Sequence, residues 1–155
     1  MTFESAVLGL DPASSTGCCR GGRLALWPLA EQHRGTHPGL RHRALAELLA
    51  ESLSPEIKLV CYEKAAAGAN NFGTAVFHAQ LEGVILATCA VRRIATLAVA
   101  PTTLKKFPTG SGRADKQQMI AAAKLHGATT GGSSDLADAY FAYLFGVQHL
   151  KRGGQ

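Results

Sequence analysis

Apolar residues recur along this chain in two rhythms, and each rhythm predicts a different kind of element. Ala6 to Leu10 is a short apolar run stopped at Asp11-Pro12, which reads as a buried strand whose end is turned by proline. Two extended stretches, Cys18–Arg20 and Arg23–Leu29, flank Gly21-Gly22, a pair suited to a tight hairpin. After a Gly/Pro/His-rich connection, Leu40, Ala44, Leu45, Leu48, Leu49 and Leu53 fall at helical spacing up to a stop at Ser54-Pro55. Lys58–Tyr62 predicts the next strand, ending near Glu63. From about Asn71 to Val91 the pattern predicts a long helix whose apolar positions spread around the axis. Phe77, Leu81 and Val84 lie roughly together there, whereas Val76, Leu86 and Ala90 fall elsewhere. Ile94–Val99, closed by Pro101, is a further strand, followed by a basic loop, a helix over about Ala114–Leu125 and a last helix over Ser134–Leu150.

No internal repeat and no dividing linker interrupts this order, so residues 1–155 are expected to form one domain. Three strands, helix, strand, helix, strand and then helices is an α/β order. The first three strands can form an antiparallel meander, and the later ones can join in parallel through helical crossovers.

Composition narrows the class. At 46% hydrophobic and 17% charged residues the chain reads as compact rather than disordered. No uncharged apolar run reaches the roughly 18 residues of a membrane span, and Glu4 stands where a signal peptide would carry its basic region. Cys18, Cys19, Cys61 and Cys89 form no C-x-x-C pair and sit in or beside apolar stretches, which predicts buried, reduced thiols. A protein of the reducing cytosol, with no membrane partner, is expected. The formal charge of +5 suits a polyanionic partner but does not by itself require one.

The acidic residues carry more information. Only four aspartates exist, Asp11, Asp115, Asp135 and Asp138. Asp11 ends the first strand, and Glu63 ends or closely follows the strand Lys58–Tyr62, so both can reach the crevice at strand ends where ligands gather in open sheets. Asp135 and Asp138 share one face of the last helix at i, i+3, in its expected first turn. Singly, each has an ordinary explanation: Asp-Pro as a turn, Glu at a strand end as a solvated residue, Asp near a helix start as a cap. Four carboxylates converging on one point would instead repel one another unless cations neutralised them. Hard oxygen donors of this kind suit Mg²⁺ or Mn²⁺, and paired ions can activate water against a phosphodiester. Between Pro101 and Lys116, Lys105, Lys106, Arg113 and Lys116 stand against Asp115 alone, and Gly110 and Gly112 would let that backbone approach phosphates. Arg92-Arg93 and the group Arg34, Arg41 and Arg43 are further candidates for backbone contacts. The six histidines show no ligand spacing and read mostly as surface residues.

Four segments in register resemble the RuvC-type Holliday-junction resolvases. "VLGLDPASSTG" (Val7–Gly17) resembles their opening strand and turn, and "LVCYEKAAAGANNFGTAVFHAQLEGVILATC" their second carboxylate strand, loop and long helix. "APTTLKKFPTGSGRADKQQM" resembles their basic loop, and "DLADAYFAYLFGVQHL" their terminal D-x-x-D helix. The resemblance implies an RNase H-like fold with a mixed five-stranded sheet flanked by helices. It implies metal-binding catalytic carboxylates at Asp11, Glu63, Asp135 and Asp138; the cationic side chain of Lys116 or Lys105, from the basic loop, is of the kind that stabilises charge on a phosphate in the transition state. It also implies a homodimer that nicks two strands of a branched DNA, above all a four-way junction. The chain departs from the family at Ala13, where glycine is common, and in the alanine-rich loop after Glu63. Members often carry a base-engaging aromatic in that loop; Phe72 is the nearest candidate, its alternative being a core residue at a helix start.

Three other readings compete. Another RNase H-like nuclease, acting on RNA, hybrids or flaps, shares the opening motif, but the basic-loop position and the D-x-x-D helix favour a resolvase. A sugar-kinase or actin-like ATPase would need a second related domain. A catalytically silent junction binder would gain nothing from four acidic groups facing phosphates.

Overall fold

The computed structural model describes residues 2–29, 37–66 and 71–153, and Arg34 lies outside them. Along the chain come β1 (Val7–Asp11), β2 (Ser15–Arg20), β3 (Arg23–Pro28), α1 (Leu40–Ser52), β4 (Leu59–Glu63), α2 (Phe72–Val91) and β5 (Ala95–Val99). Three helices close the fold, α3 (Pro101–Thr109), α4 (Lys116–Leu125) and α5 (Ser134–Lys151). The sheet order is β3-β2-β1-β4-β5, with β1, β2 and β3 antiparallel and β4 and β5 added in parallel. The β2–β3 hairpin turns through Gly21 and Gly22, both at positive φ (55° and 79°), as a two-residue turn matched to strand twist requires.

Strands β1 and β4 are covered on both faces, which is why their sequences are nearly continuous apolar runs. Alternation sends Val7, Cys19, Leu59 and Cys61 toward α3, α4 and α5. Leu8, Leu10, Cys18, Val60 and Tyr62 pack instead with α1 and α2. Cys18 and Cys19 therefore face opposite layers. All four cysteines are buried and free, and burial pushes the thiols of Cys18, Cys19 and Cys61 up to about 12 and that of Cys89 to about 11.

Helix α5 lies unusually close to the sheet because glycines leave room for it. A Cβ at Gly9 would fall on the backbone of Ala139 and Tyr143, and one at Gly17 on the backbone of Asp135. From the helix side, a Cβ at Gly146 would stand 2.8 Å from Val7 Cγ1 and 2.9 Å from Cys61 Cβ.

One expectation changes. The basic stretch after Pro101 is helical over its first nine residues, because proline at the first helical position is pre-organised for a helix and Leu104 buries itself in the core. Gly110, at φ 78°, ends α3 as a left-handed cap, its N–H donating to Lys106 O at 2.8 Å, so its freedom serves the helix end. The terminal helices do not cover the spare face of α2, since they occupy the other side of the sheet. Only Leu81, Ile85 and Cys89 of α2 are buried, while Val76, Leu86 and Val91 are exposed. By length and composition α2 could cross a membrane. Its buried stripe is packed among α1 and the sheet.

Candidate active site

Asp11 and Glu63 are the final residues of β1 and β4. These strands pair in parallel up to Leu10↔Tyr62, so the two acids stand side by side one step further on. Counting back by twos gives Gly9 and Val7, Cys61 and Leu59, so both carboxylates leave the sheet on the face that α5 covers. Gly17 is the cross-strand partner of Asp11, and the carbonyl of Asp135 rests over that glycine. The close approach permitted at Gly9 and Gly17 thus brings the start of α5 to the end of β1. Ser133 caps α5, its hydroxyl accepting from Leu136 N–H at 3.3 Å, which leaves the carboxylates of Asp135 and Asp138 free of that task. Asp135 lies in the first turn as expected, and Asp138 begins the second. Asp115 does act as a cap, in a reciprocal box with Gln118 that starts α4 at Lys116.

The electrostatics record the convergence. Burial, then the charges of Glu63, Asp138 and Asp135, push the Asp11 carboxyl well above its ordinary value, against the pull of Lys116. Glu63 is raised to about 7 by burial and by Asp138, with Lys105 opposing. Asp138 is raised to about 6, chiefly by burial and also by Asp135, while Lys105 and Lys116 oppose. Glu63 Oε2 and Asp138 Oδ1 are buried with no hydrogen-bond partner. Among the described residues no three His, Cys, Asp or Glu side chains are already drawn into metal-ligating geometry. Hard carboxylate oxygens, two of them buried without a partner, are a donor set that fits a hard divalent cation.

A pocket of about 220 Å³ opens in front of Asp11 and Glu63. Pro101 closes one side, and Thr74 and His78 of α2 line another. His78 is a half-buried lining residue that the sequence did not single out among histidines read mostly as surface residues. Its signal was the i, i+4, i+8 series Thr74, His78, Glu82, a polar stripe on a mostly apolar helix. Lys105 is half-buried beside the carboxylates and Lys116 is exposed, whereas Lys106 and Arg113 are exposed and do not figure among the charges acting on the acids. Phe72 is 85% exposed, which removes its reading as a core residue. Arg41 lies over the Phe77 ring at 4.3 Å and Arg43 pairs with Glu47 at 2.6 Å, so both are engaged by their own surface. Arg92 and Arg93 border a hollow with Lys58, at the opposite strand ends from the acids. Ala13 adopts no positive φ; its backbone is clasped by the buried Thr16 hydroxyl, which donates to Ala13 O at 2.8 Å. Alanine there costs the turn nothing.

Sheet order, helix placement and acids at adjacent strand ends define an RNase H-like fold with an acidic cleft. No protein-family model matches the chain. The crossover junction endodeoxyribonuclease RuvC of Oleidesulfovibrio alaskensis is 33% identical over 161 residues, spanning 94% of this chain and 93% of that protein. That of Solidesulfovibrio magneticus is 32% identical, covering 76% of this chain and 74% of its own length. The structure of Thermus thermophilus RuvC in complex with a Holliday junction substrate superposes with a TM-score of 0.72 at 18% identity, covering 96% of both chains. The chain belongs to the RuvC family of crossover junction endodeoxyribonucleases.

Proposed function

We propose that this protein resolves four-way DNA junctions by divalent-metal-dependent phosphodiester hydrolysis, as one nuclease domain acting in the cytoplasm. Asp11, Glu63, Asp135 and Asp138 are the catalytic carboxylates and hold Mg²⁺ or Mn²⁺. The observation that carries this reading is the pair of buried, partnerless oxygens, Glu63 Oε2 and Asp138 Oδ1, in a cluster where neighbouring acids help raise the pKa of Asp11, Glu63 and Asp138. When bound, the ions supply an activated water and a counter-charge for the leaving oxygen. The chain's own residues do the rest. The ends of β1 and β4 carry Asp11 and Glu63 at the pocket, and the start of α5 brings the charges of Asp135 and Asp138 to bear on Asp11. Lys105 and Lys116, close enough to oppose the raised pKa of Asp138, are placed to meet phosphate charge. Lys106 and Arg113 extend the basic surface along α3 and the turn before α4, and Phe72 offers an exposed ring to unpaired bases near the pocket.

The functional unit in this reading is a homodimer joined through α2, which gives two matched sites for a nearly two-fold symmetric substrate. Support comes from the outward stripe of that helix. Val76, Leu86 and Val91 are 37%, 45% and 81% exposed, and a Cβ at the intervening Gly83 would meet only open space. Sedimentation at micromolar concentration should give a dimer, and Leu86→Glu a monomer; a wild-type monomer that binds junctions one to one would defeat the pairing.

The activity is tested by offering synthetic four-way junction, linear duplex and RNA–DNA hybrid, each with and without Mg²⁺. Symmetric nicking of the junction only with metal is expected. Preferential cutting of the hybrid or of RNA would move the assignment to another RNase H-like nuclease.

A further inference from the structure

The end of β4 is held by a residue that belongs to none of the roles above. Glu82 is the only charged side chain of α2, and it is half-buried rather than solvated. One carboxylate oxygen, Oε1, accepts from Tyr62 Oη at 3.1 Å, and the other, Oε2, accepts from the backbone N–H of Ala65 at 3.3 Å. These donors bracket Glu63, one residue before it and two after. Tyr62 is almost wholly buried at 1% exposure, so its hydroxyl needs a partner, and Glu82 supplies one.

The backbone at this point explains why the second bond matters. Lys64 N–H donates to Val99 O at 2.8 Å, the last bond that β4 makes toward β5. Beyond it the strand is over, and the next amide, that of Ala65, has lost its ladder. Glu82 takes that amide up from across the pocket, where its own helix also presents Thr74 and His78. The segment Tyr62–Ala65 is thereby tied at both ends to α2, while the Glu63 side chain between them keeps a buried oxygen with no partner of its own. With that oxygen unpartnered, the backbone that carries the acid has a large part in aiming it.

We propose that Glu82 is a positioning residue for Glu63: by clamping Tyr62 Oη and Ala65 N–H together, it sets the direction in which the end of β4 delivers its carboxylate to the pocket. The inference rests on the assignment of Glu63 to the metal-binding set. It asks nothing of Glu82 toward the substrate. Aspartate is too short by one methylene to reach both donors. Glutamine can keep both links, its carbonyl oxygen accepting from Ala65 N–H and its amide donating to Tyr62 Oη, because a phenol oxygen also accepts.

The test compares Glu82→Ala, Glu82→Asp, Glu82→Gln and Tyr62→Phe in the full chain, with three readouts. They are amide hydrogen exchange at Ala65 without metal, Mn²⁺ binding by calorimetry, and kcat against KM for junction nicking. Wild type should protect the Ala65 amide. Glu82→Ala and Glu82→Asp should lose that protection, weaken Mn²⁺ binding by roughly tenfold and lower kcat by about 10- to 100-fold with KM nearly unchanged, the size expected when a reacting group is misplaced by about 1 Å. Glu82→Gln should restore all three to within a few-fold. Tyr62→Phe keeps the Ala65 bond and should keep its protection. An unprotected Ala65 amide in wild type overturns the proposal even if the alanine variant does not fold. So does a folded Glu82→Asp that loses the protection yet binds Mn²⁺ and nicks normally. The exchange readout needs no metal, so a failed clamp is distinguishable from a failed metal site, which amide variants of Asp11 and Glu63 test separately.

Discussion

Gly17→Ala is the substitution whose effect follows most directly from the packing of α5. The new Cβ would stand 2.8 Å from the Asp135 carbonyl carbon and 3.0 Å from Ala139 Cβ, and nearer still to the Asp135 carbonyl oxygen. Two of these neighbours are backbone, which cannot rotate away, so the start of α5 must lift from the sheet by about 1 Å to recover ordinary spacing near 3.5–4.0 Å. Overpacking of this kind costs about 1–3 kcal/mol, which in a domain of this size lowers Tm by roughly 2–12 °C. The larger effect falls on chemistry. Gly17 pairs with Asp11, and the displaced first turn carries Asp135 and leads directly into Asp138, so two acids shift against the other two. A misplacement of about 1 Å is worth on the order of 100-fold in rate. The variant should therefore melt as a folded protein, bind junction with near-normal affinity and nick it about 100-fold more slowly under single-turnover conditions. Wild-type nicking by a folded Gly17→Ala protein would refute the claim that close packing at this glycine aligns the site.

Two further outcomes follow from charge. Glu63 and Asp138 titrate near about 7 and about 6 when folded but from 4.5 and 3.8 ordinarily, so the folded metal-free protein binds extra protons between those values. Its stability should fall as pH rises from about 4 through about 7, and saturating Mg²⁺ should flatten that fall while nicking rises over the same upper range as the carboxylates ionise. A metal-free Tm that climbs across the window would contradict the clustering. Neutralising Lys105, Lys106, Arg113 and Lys116 one at a time should lower the salt slope of junction binding by about one unit for each phosphate left without its cation; unchanged affinity and slope in the fourfold variant would exclude this surface from DNA binding.

Much of this arrangement was legible in the chain because the strands announce themselves. Apolar runs stopping at Asp11 and near Glu63 placed both acids at strand ends, and the observed strands run one residue further, making each acid the last of its strand. The i, i+3 spacing of Asp135 and Asp138 gave their shared helix face, and the two glycines at 21 and 22 gave the hairpin. What could not be read was tertiary. The helix at Pro101–Thr109 looked like a loop because Pro108 within it is a poor helix former, and burial of Leu104 overrides that weakness. Nothing in the spacing of Gly9, Gly17 and Gly146 says that the helix carrying the third packs against the strands carrying the first two, since the packing joins residues more than a hundred positions apart. His78 and Glu82 were hidden in an apolar helix for the same reason: only the fold shows that their stripe faces the end of β4.

The account stands on Asp11 and Glu63 as parts of one metal-dependent centre, and their neutral amides test it most directly. Asp11→Asn and Glu63→Gln remove a charge each while preserving shape, and neither removes a cation that attracts phosphate. Each variant is to be assayed on a synthetic four-way junction with saturating Mg²⁺, with binding measured in parallel without metal. Loss of nicking by both variants, with junction affinity retained or increased, is the expected result. Near-normal Mg²⁺-dependent nicking by either one would contradict the central claim.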